Sequence, residues 1–232
     1  MNESDVFELL AANKNDRGID NWRKLTDTQG LESFGIGLTV LRKLAKKIGR
    51  NHELALVLWD SRNYDAKVIS LLIDDPKKIS RAQVEQQVEG LGIGLLTHVF
   101  SSCDATLAKA PFAFELARTW MKSDDAIRRQ CGFGLVYEFS KNKRNKNFTD
   151  EFFFDCLSLI DEQIAHESSS VRMSMGSALM GIGKRNLALN TAAIKIAKVA
   201  GSISFGDGHC EPFNVLKHID NETLLKKLHM QK

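Results

Sequence analysis

Proline is scarce in this sequence of 232 residues: there are three, with two tyrosines and few stretches of alternating apolar and polar residues. That combination argues against a sheet-based fold, because strands favour aromatic and β-branched residues in alternation and sheets need turn punctuation. No apolar run reaches membrane-spanning length. Met1 leads into NESDVFELL, which is acidic and amphipathic, so a secretory signal is not expected. The four cysteines, Cys103, Cys131, Cys156 and Cys210, lack the close pairing of a metal site and read as reduced thiols of a cytoplasmic protein. No metal or cofactor is expected. FGIG at residues 34–37 has neither the spacing nor the preceding strand of a phosphate loop.

What is present is helical. With 43% hydrophobic residues the chain can bury a sizeable core. The segment HELALVLWDSRNYDAKVISLLIDDPKKIS, residues 52–80, reads as two strongly apolar helices hinged at 60–63. The second is stopped at Asp75-Pro76, since proline drives the preceding residue out of the helical region. Helices this apolar must be packed between others. Candidates are 3–12, 38–48, 80–89, 91–103, 111–121, 125–140, 149–166, 171–182, 189–199 and 222–230. Ser80, Thr149 and Ser168 to Ser170 are placed as N-caps. Residues 13–25 read as a polar stretch. About a dozen helices on short connections fit stacked antiparallel pairs, an all-α, armadillo-type α-solenoid. The expected organisation is one helical-repeat domain over 1–232, with an N-terminal part at 1–35, a repeat core at 36–200 and a loop and short helix at 201–232.

The net charge of +3 says little, but the cations fall at helix ends and connectors. They are Lys46, Lys47 and Arg50; Lys77, Lys78 and Arg81; Arg128 and Arg129; Lys141 to Lys146; Lys184 and Arg185. In a helical stack such a series can form a basic stripe that tracks a phosphate backbone. The competing reading is that lysine and arginine satisfy helix C-termini in any helical protein.

Several stretches carry a resemblance: LRKLAKKIGRNHELALVLWDSRNYDAK, LLIDDPKKIS, TWMKSDDAIRRQCGFGL, TDEFFFDCLSLID and VRMSMGSALMGIGKRNLALNTAAIKIAK, in that order. Across roughly 36–200 the chain resembles the HEAT-like-repeat alkylpurine DNA glycosylases of the DNA alkylation repair family. The resemblance implies stacked helix pairs with a basic concave face for duplex DNA, and hydrolysis of the N-glycosidic bond of a cationic alkylated purine. Such chemistry wants a carboxylate beside the sugar and aromatic faces around it. The family's Trp and, four residues on, its catalytic Asp align with Gly94 and His98. A second family Trp aligns with Ser177, and a family Arg matches Arg129.

Three functions follow as expectations. The first is a monomeric protein that binds double-stranded or structured DNA, with lost or altered catalysis. The second is an active glycosylase using other residues, for which His98 and Asp104 are the candidates. The third is a protein-interaction scaffold. His98 with Ser101 or Ser102 could form a polar cluster, or the helix could end near Cys103 with Asp104 capping the next segment. Trp59 and Trp120 read as core, Trp22 stays open, and Phe152 to Phe154 reads as the packed opening of a helix. The SISFGDGH stretch, 202–209, is assigned no role.

Overall fold

The structure, a computed structural model, describes residues 1–204 and 211–230; Cys210 and most of the SISFGDGH stretch lie outside them. Among the described residues the fold is all-α, with only isolated bridges between Glu32 and Asn63 and between Ile203 and Phe213. Two compact units make up the chain, Met1–Phe112 and Ala113–Lys232, a division the even run of helix signals does not mark.

The first unit holds α1 (Glu3–Ala11), α2 (Asp16–Arg23), α3 (Leu38–Ile48), α4 (His52–Asp60), α5 (Tyr64–Ile73), α6 (Arg81–Val88) and α7 (Leu96–Ser101). A 3₁₀ turn at Leu107–Lys109 follows. Helix α5 is its axis, packing against α4, α3, α7 and α1. Eight of its ten residues are buried, which is why its sequence has no polar face. Asn51 and Asn63 cap α4 and α5, each accepting a backbone N–H three residues on.

The deepest polar group of this unit is Asp65, which is fully buried on α5. Its Oδ2 accepts from the Ser33 hydroxyl at 2.7 Å and the Phe34 N–H at 2.8 Å, and its Oδ1 from the Ile36 N–H at 3.1 Å. One carboxylate therefore ties the 33–36 loop onto α5. Beside it Glu32 bridges the α4–α5 hinge, donating to the Arg62 carbonyl and accepting from Tyr64 N–H. Within the stretch that reads as polar, residues 16–23 form helix α2, which buries so little that no apolar stripe marks it; Ile19 and Trp22 are its half-buried apolar residues. Trp22 packs on Tyr64 in a tilted arrangement with ring centroids 4.6 Å apart, and its indole N–H reaches the Leu31 carbonyl at 3.0 Å. Trp22 is thus a structural residue.

The second unit holds α8 (Ala113–Trp120), α9 (Ala126–Lys141), α10 (Asp150–Gln163), α11 (Ser169–Ile182), α12 (Leu187–Ala200), α13 (Leu216–Ile219) and α14 (Glu222–His229). Its most extensive pairing is α9 with α11. A Cβ at Gly181 would sit 2.2 Å from Ser140 Oγ, so the absence of a side chain there permits the close approach. Trp120, Phe133, Phe139 and Phe153 are fully buried in this unit, and Phe114, Phe139, Phe148 and Phe152 form an aromatic cluster. Phe152 and Phe153 pack inward as expected, while Phe154 is exposed. Trp59 and Trp120 are both core.

Burial pushes the Asp65 carboxyl above its ordinary value, and its three donors only partly offset that. A raised folded value means this group's contribution to stability is fully present below the unfolded value and is lost as pH rises through the folded one. Asp65→Asn removes the titration but turns an amide N–H₂ toward a backbone donor. The expected outcome is a loss of about 1–3 kcal/mol and a flatter stability profile as pH rises above the usual carboxylate range. Urea denaturation at stepped pH measures both.

Candidate nucleic-acid interface

The cations expected to contact DNA divide into those held internally and those on the surface. Arg129 belongs to the first group. Its guanidinium makes a two-pronged pair with Glu167, Nε to Oε1 at 2.5 Å and Nη2 to Oε2 at 2.9 Å. Its Nη1 donates to the carbonyls of Ser123 and Asp124 at 2.8 and 2.9 Å. This arginine neutralises a carboxylate and closes the loop before α9.

Arg185 is likewise engaged by the protein itself. Its Nη1 donates to the carbonyls of Ser140 and Asn142 at 2.9 and 3.3 Å, and its Nη2 to that of Phe148 at 3.0 Å. Its guanidinium lies 4.3 Å from the centroid of the Phe153 ring. It therefore fastens the end of α9, the 142–148 connector and the start of α10, the role that the competing reading of the cations anticipates. Burial pushes its pKa down from the ordinary arginine value, although an arginine remains charged. Arg128 is half-buried and faces Asp125 at 3.8 Å.

The remaining predicted cations are at the surface. Lys46, Lys47, Lys77, Arg81 and Lys184 are exposed, and Lys78 is exposed while pairing with Glu53 at 2.8 Å. The first unit gathers part of this charge into a groove of about 320 Å³ at the ends of α3 and α5. Arg42, Lys46, Arg50 and Lys109 line it, with Asp104 as its acid. Arg42 and Lys46 lie one turn apart on α3 and so share a face. Lys109 escaped the sequence reading because it comes from the 3₁₀ turn, outside any helical periodicity. A larger hollow of about 640 Å³ in the second unit, between α8 and α10, mixes Glu115, Asp155 and Glu162 with Arg118 and Lys122 and has the wrong balance for a phosphate. Cys156 lines that hollow, but burial pushes its thiol far up, so it is no nucleophile.

The catalytic candidates fare differently. Helix α7 is shorter than expected: Gly94 sits at φ +53°, outside the helical region, and the helix begins only at Leu96. A Cβ at Gly94 would lie 2.8 Å from the Tyr64 hydroxyl and 3.0 Å from its ring, and that hydroxyl accepts the Leu95 N–H at 2.9 Å. The space beside residue 94 is thus filled by Tyr64, whose burial raises its pKa. His98 is exposed, whereas Ser101 and Ser102 are buried, and Ser101 donates to the Thr97 carbonyl at 2.9 Å. Asp104 is exposed at φ +53° and pairs with Arg42 at 3.0 Å. The turn at Leu107–Lys109 is preceded by Thr106, so Asp104 does not occupy its N-cap position. Ser177 lies on α11 and donates to the Met173 carbonyl at 3.0 Å. Among the described residues no cluster of three or more His, Cys, Asp or Glu could hold a metal ion.

A model of the DNA alkylation repair enzymes matches residues 6–204. The chain belongs to that family. Two curated relatives are the protein Lmo0209 of Listeria monocytogenes and Lin0241 of Listeria innocua. Each is 25% identical over 222 residues, spanning 91% of this chain and 92% of the relative. A solved structure, described as a new family of proteins related to the HEAT-like repeat DNA glycosylases with affinity for branched DNA structures, superposes with a TM-score of 0.82 at 23% identity. It covers 98% of this chain and 96% of that one. The fold is therefore the HEAT-like repeat fold of this family. Among the described residues no helix is long and apolar enough to cross a membrane.

The two neighbouring cations Lys184 and Arg185 separate the surface role from the internal one. Arg185→Met should cost about 2–4 kcal/mol, because three carbonyl contacts and a ring contact are lost together. Lys184→Met, at an exposed position, should stay within about 0.5 kcal/mol. Guanidinium denaturation of the two variants measures the difference.

Proposed function

We propose that this member of the DNA alkylation repair family binds branched or otherwise unusual DNA through the phosphate backbone and does not excise alkylated bases. In this reading it acts as a monomer, on double-stranded or structured DNA, in the cytoplasm. One observation carries the loss of excision. The positions that the resemblance assigns to a Trp, the catalytic Asp and a second Trp carry Gly94, His98 and Ser177, and Tyr64 fills the space at the first of them. A neutral imidazole does not stabilise a developing glycosyl cation, and a protonated one repels it. The DNA affinity is supported by family membership, by the solved relative described as having affinity for branched DNA, and by the surface cations. Those are Arg42, Lys46, Lys47, Arg50, Lys77, Arg81, Lys109 and Lys184.

The deciding experiment incubates the protein with linear and four-way-branched DNA containing 7-methylguanine and follows free base and retained DNA together. The expected result is retention of the branched form without base release, and retention that falls steeply with added salt as counterions compete. Removing one member of a working electrostatic site costs about 10²–10³ in rate, so three replaced members leave no measurable excision. His98→Asp alone is expected to remain inactive, because the carboxylate would stand without a platform to hold the base. Release of 7-methylguanine by the wild-type protein would overturn the reading, and failure to retain any DNA would favour a protein-interaction scaffold.

A further inference from the structure

The groove at the ends of α3 and α5 has a charge and shape of its own. Four cations, Arg42, Lys46, Arg50 and Lys109, face a volume of about 320 Å³ in which Asp104 is the acidic lining residue. Their formal sum is three positive charges. A phosphodiester within a strand carries one negative charge and two unesterified oxygens. A phosphomonoester at a strand end carries about 1.5 to 2 negative charges at neutral pH and three such oxygens. Arg50 is already pinned: its Nη1 donates to the Asp74 carbonyl at 2.5 Å and to the Thr106 hydroxyl at 2.8 Å. Its ordering is completed before any ligand arrives, which lowers the entropic cost of binding. Leu72 and Cys103 add apolar wall against which sugar carbons can rest.

Asp104 is the informative member. It sits at φ +53°, a conformation that Asp and Asn tolerate better than most residues, and its carboxylate contacts Arg42 at 3.0 Å. Both side chains are exposed, at 39% for Arg42 and 75% for Asp104. A pair that open contributes about 0–1 kcal/mol, so an incoming anion of higher charge can displace it.

We propose that this groove is a socket for a phosphomonoester at a nucleic-acid strand end, and that Asp104 is the resident counter-charge which the phosphate displaces from Arg42. The inference rests on the DNA-binding reading above and adds to it a preference for phosphorylated ends.

The test uses the full chain and branched duplexes that differ only in carrying a 5′-phosphate, a 3′-phosphate or hydroxyl ends, read by fluorescence anisotropy at fixed salt. Wild-type protein should favour one phosphorylated form by about three- to tenfold over the hydroxyl form. Asp104→Asn keeps the backbone tolerance and removes the competitor, so it should increase that preference. A gain of affinity is a result that misfolding does not produce. Lys46→Gln with Lys109→Gln should weaken binding to all three duplexes, because two phosphate-facing cations are lost, and should also erase the difference between phosphorylated and hydroxyl ends. Equal affinity for all three ends, or an Asp104→Asn variant with unchanged or reduced preference, overturns the socket and leaves the DNA-binding reading standing. If no DNA is retained at all, that reading fails, and the socket is then tested with inorganic phosphate alone. Phosphate should raise the melting temperature of Asp104→Asn more than that of wild type and leave Lys46→Gln/Lys109→Gln unmoved. No shift in any of the three overturns the socket too.

Discussion

A buried carboxylate without a cationic partner among its hydrogen bonds holds the first unit together. Asp65 lies on a helix with eight of its ten residues buried and spends its oxygens on one hydroxyl and two backbone N–H groups of the 33–36 loop. Leaving those donors unmet inside the protein would cost more than the hydrogen bonds contribute in net terms, so the loop has one place to go. Once it is there, the Phe34 carbonyl accepts the N–H of Asn15, and Gly18 and Gly35 meet backbone to backbone. Helix α2 then brings Trp22 onto Tyr64, and Tyr64 meets the backbone of residues 94 and 95. A run of local contacts thus links the carboxylate to the segment where the family resemblance places its chemistry.

The arginines show how little a charged residue's type reveals about its role. Arg129 and Arg185 sit in basic clusters in the sequence, yet one is matched to Glu167 and the other caps three carbonyls over a phenylalanine ring. A planar guanidinium with five donors suits that work better than a lysine ammonium does. Lysines at such positions make point contacts, as Lys143 does with the Arg185 carbonyl at 3.1 Å. Sorting surface charge from internal fastening is therefore the step that narrows a list of basic residues to an interface.

The fold was legible in the sequence to a large degree. The stop of α3 at Gly49 and the N-caps of α6 at Ser80 and of α10 at Thr149 stand where the sequence placed them. Helix α2 was not legible, because its contribution is a single aromatic contact and not an apolar stripe. Helix α7 was overextended because the apolar run 91–103 has the right composition, while the left-handed backbone at Gly94 is set by a tertiary neighbour. Legibility was lower at the candidate site. Periodicity identified Lys46 and Lys47, but the meeting of Arg42, Arg50, Asp104 and Lys109 depends on chain ends brought together from distant positions.

The contact between Tyr64 and Gly94 also bears on which sequences this protein can reach by mutation. A bulky residue at position 94 needs the backbone to leave its left-handed conformation, the tyrosine ring to vacate the space, and the Leu95 N–H to find another acceptor. Each step alone is unfavourable, since the remaining two still hold the old arrangement in place. Single substitutions thus lead downhill in stability from here, and an aromatic platform at this point is separated from the present sequence by a valley that only concerted replacement crosses.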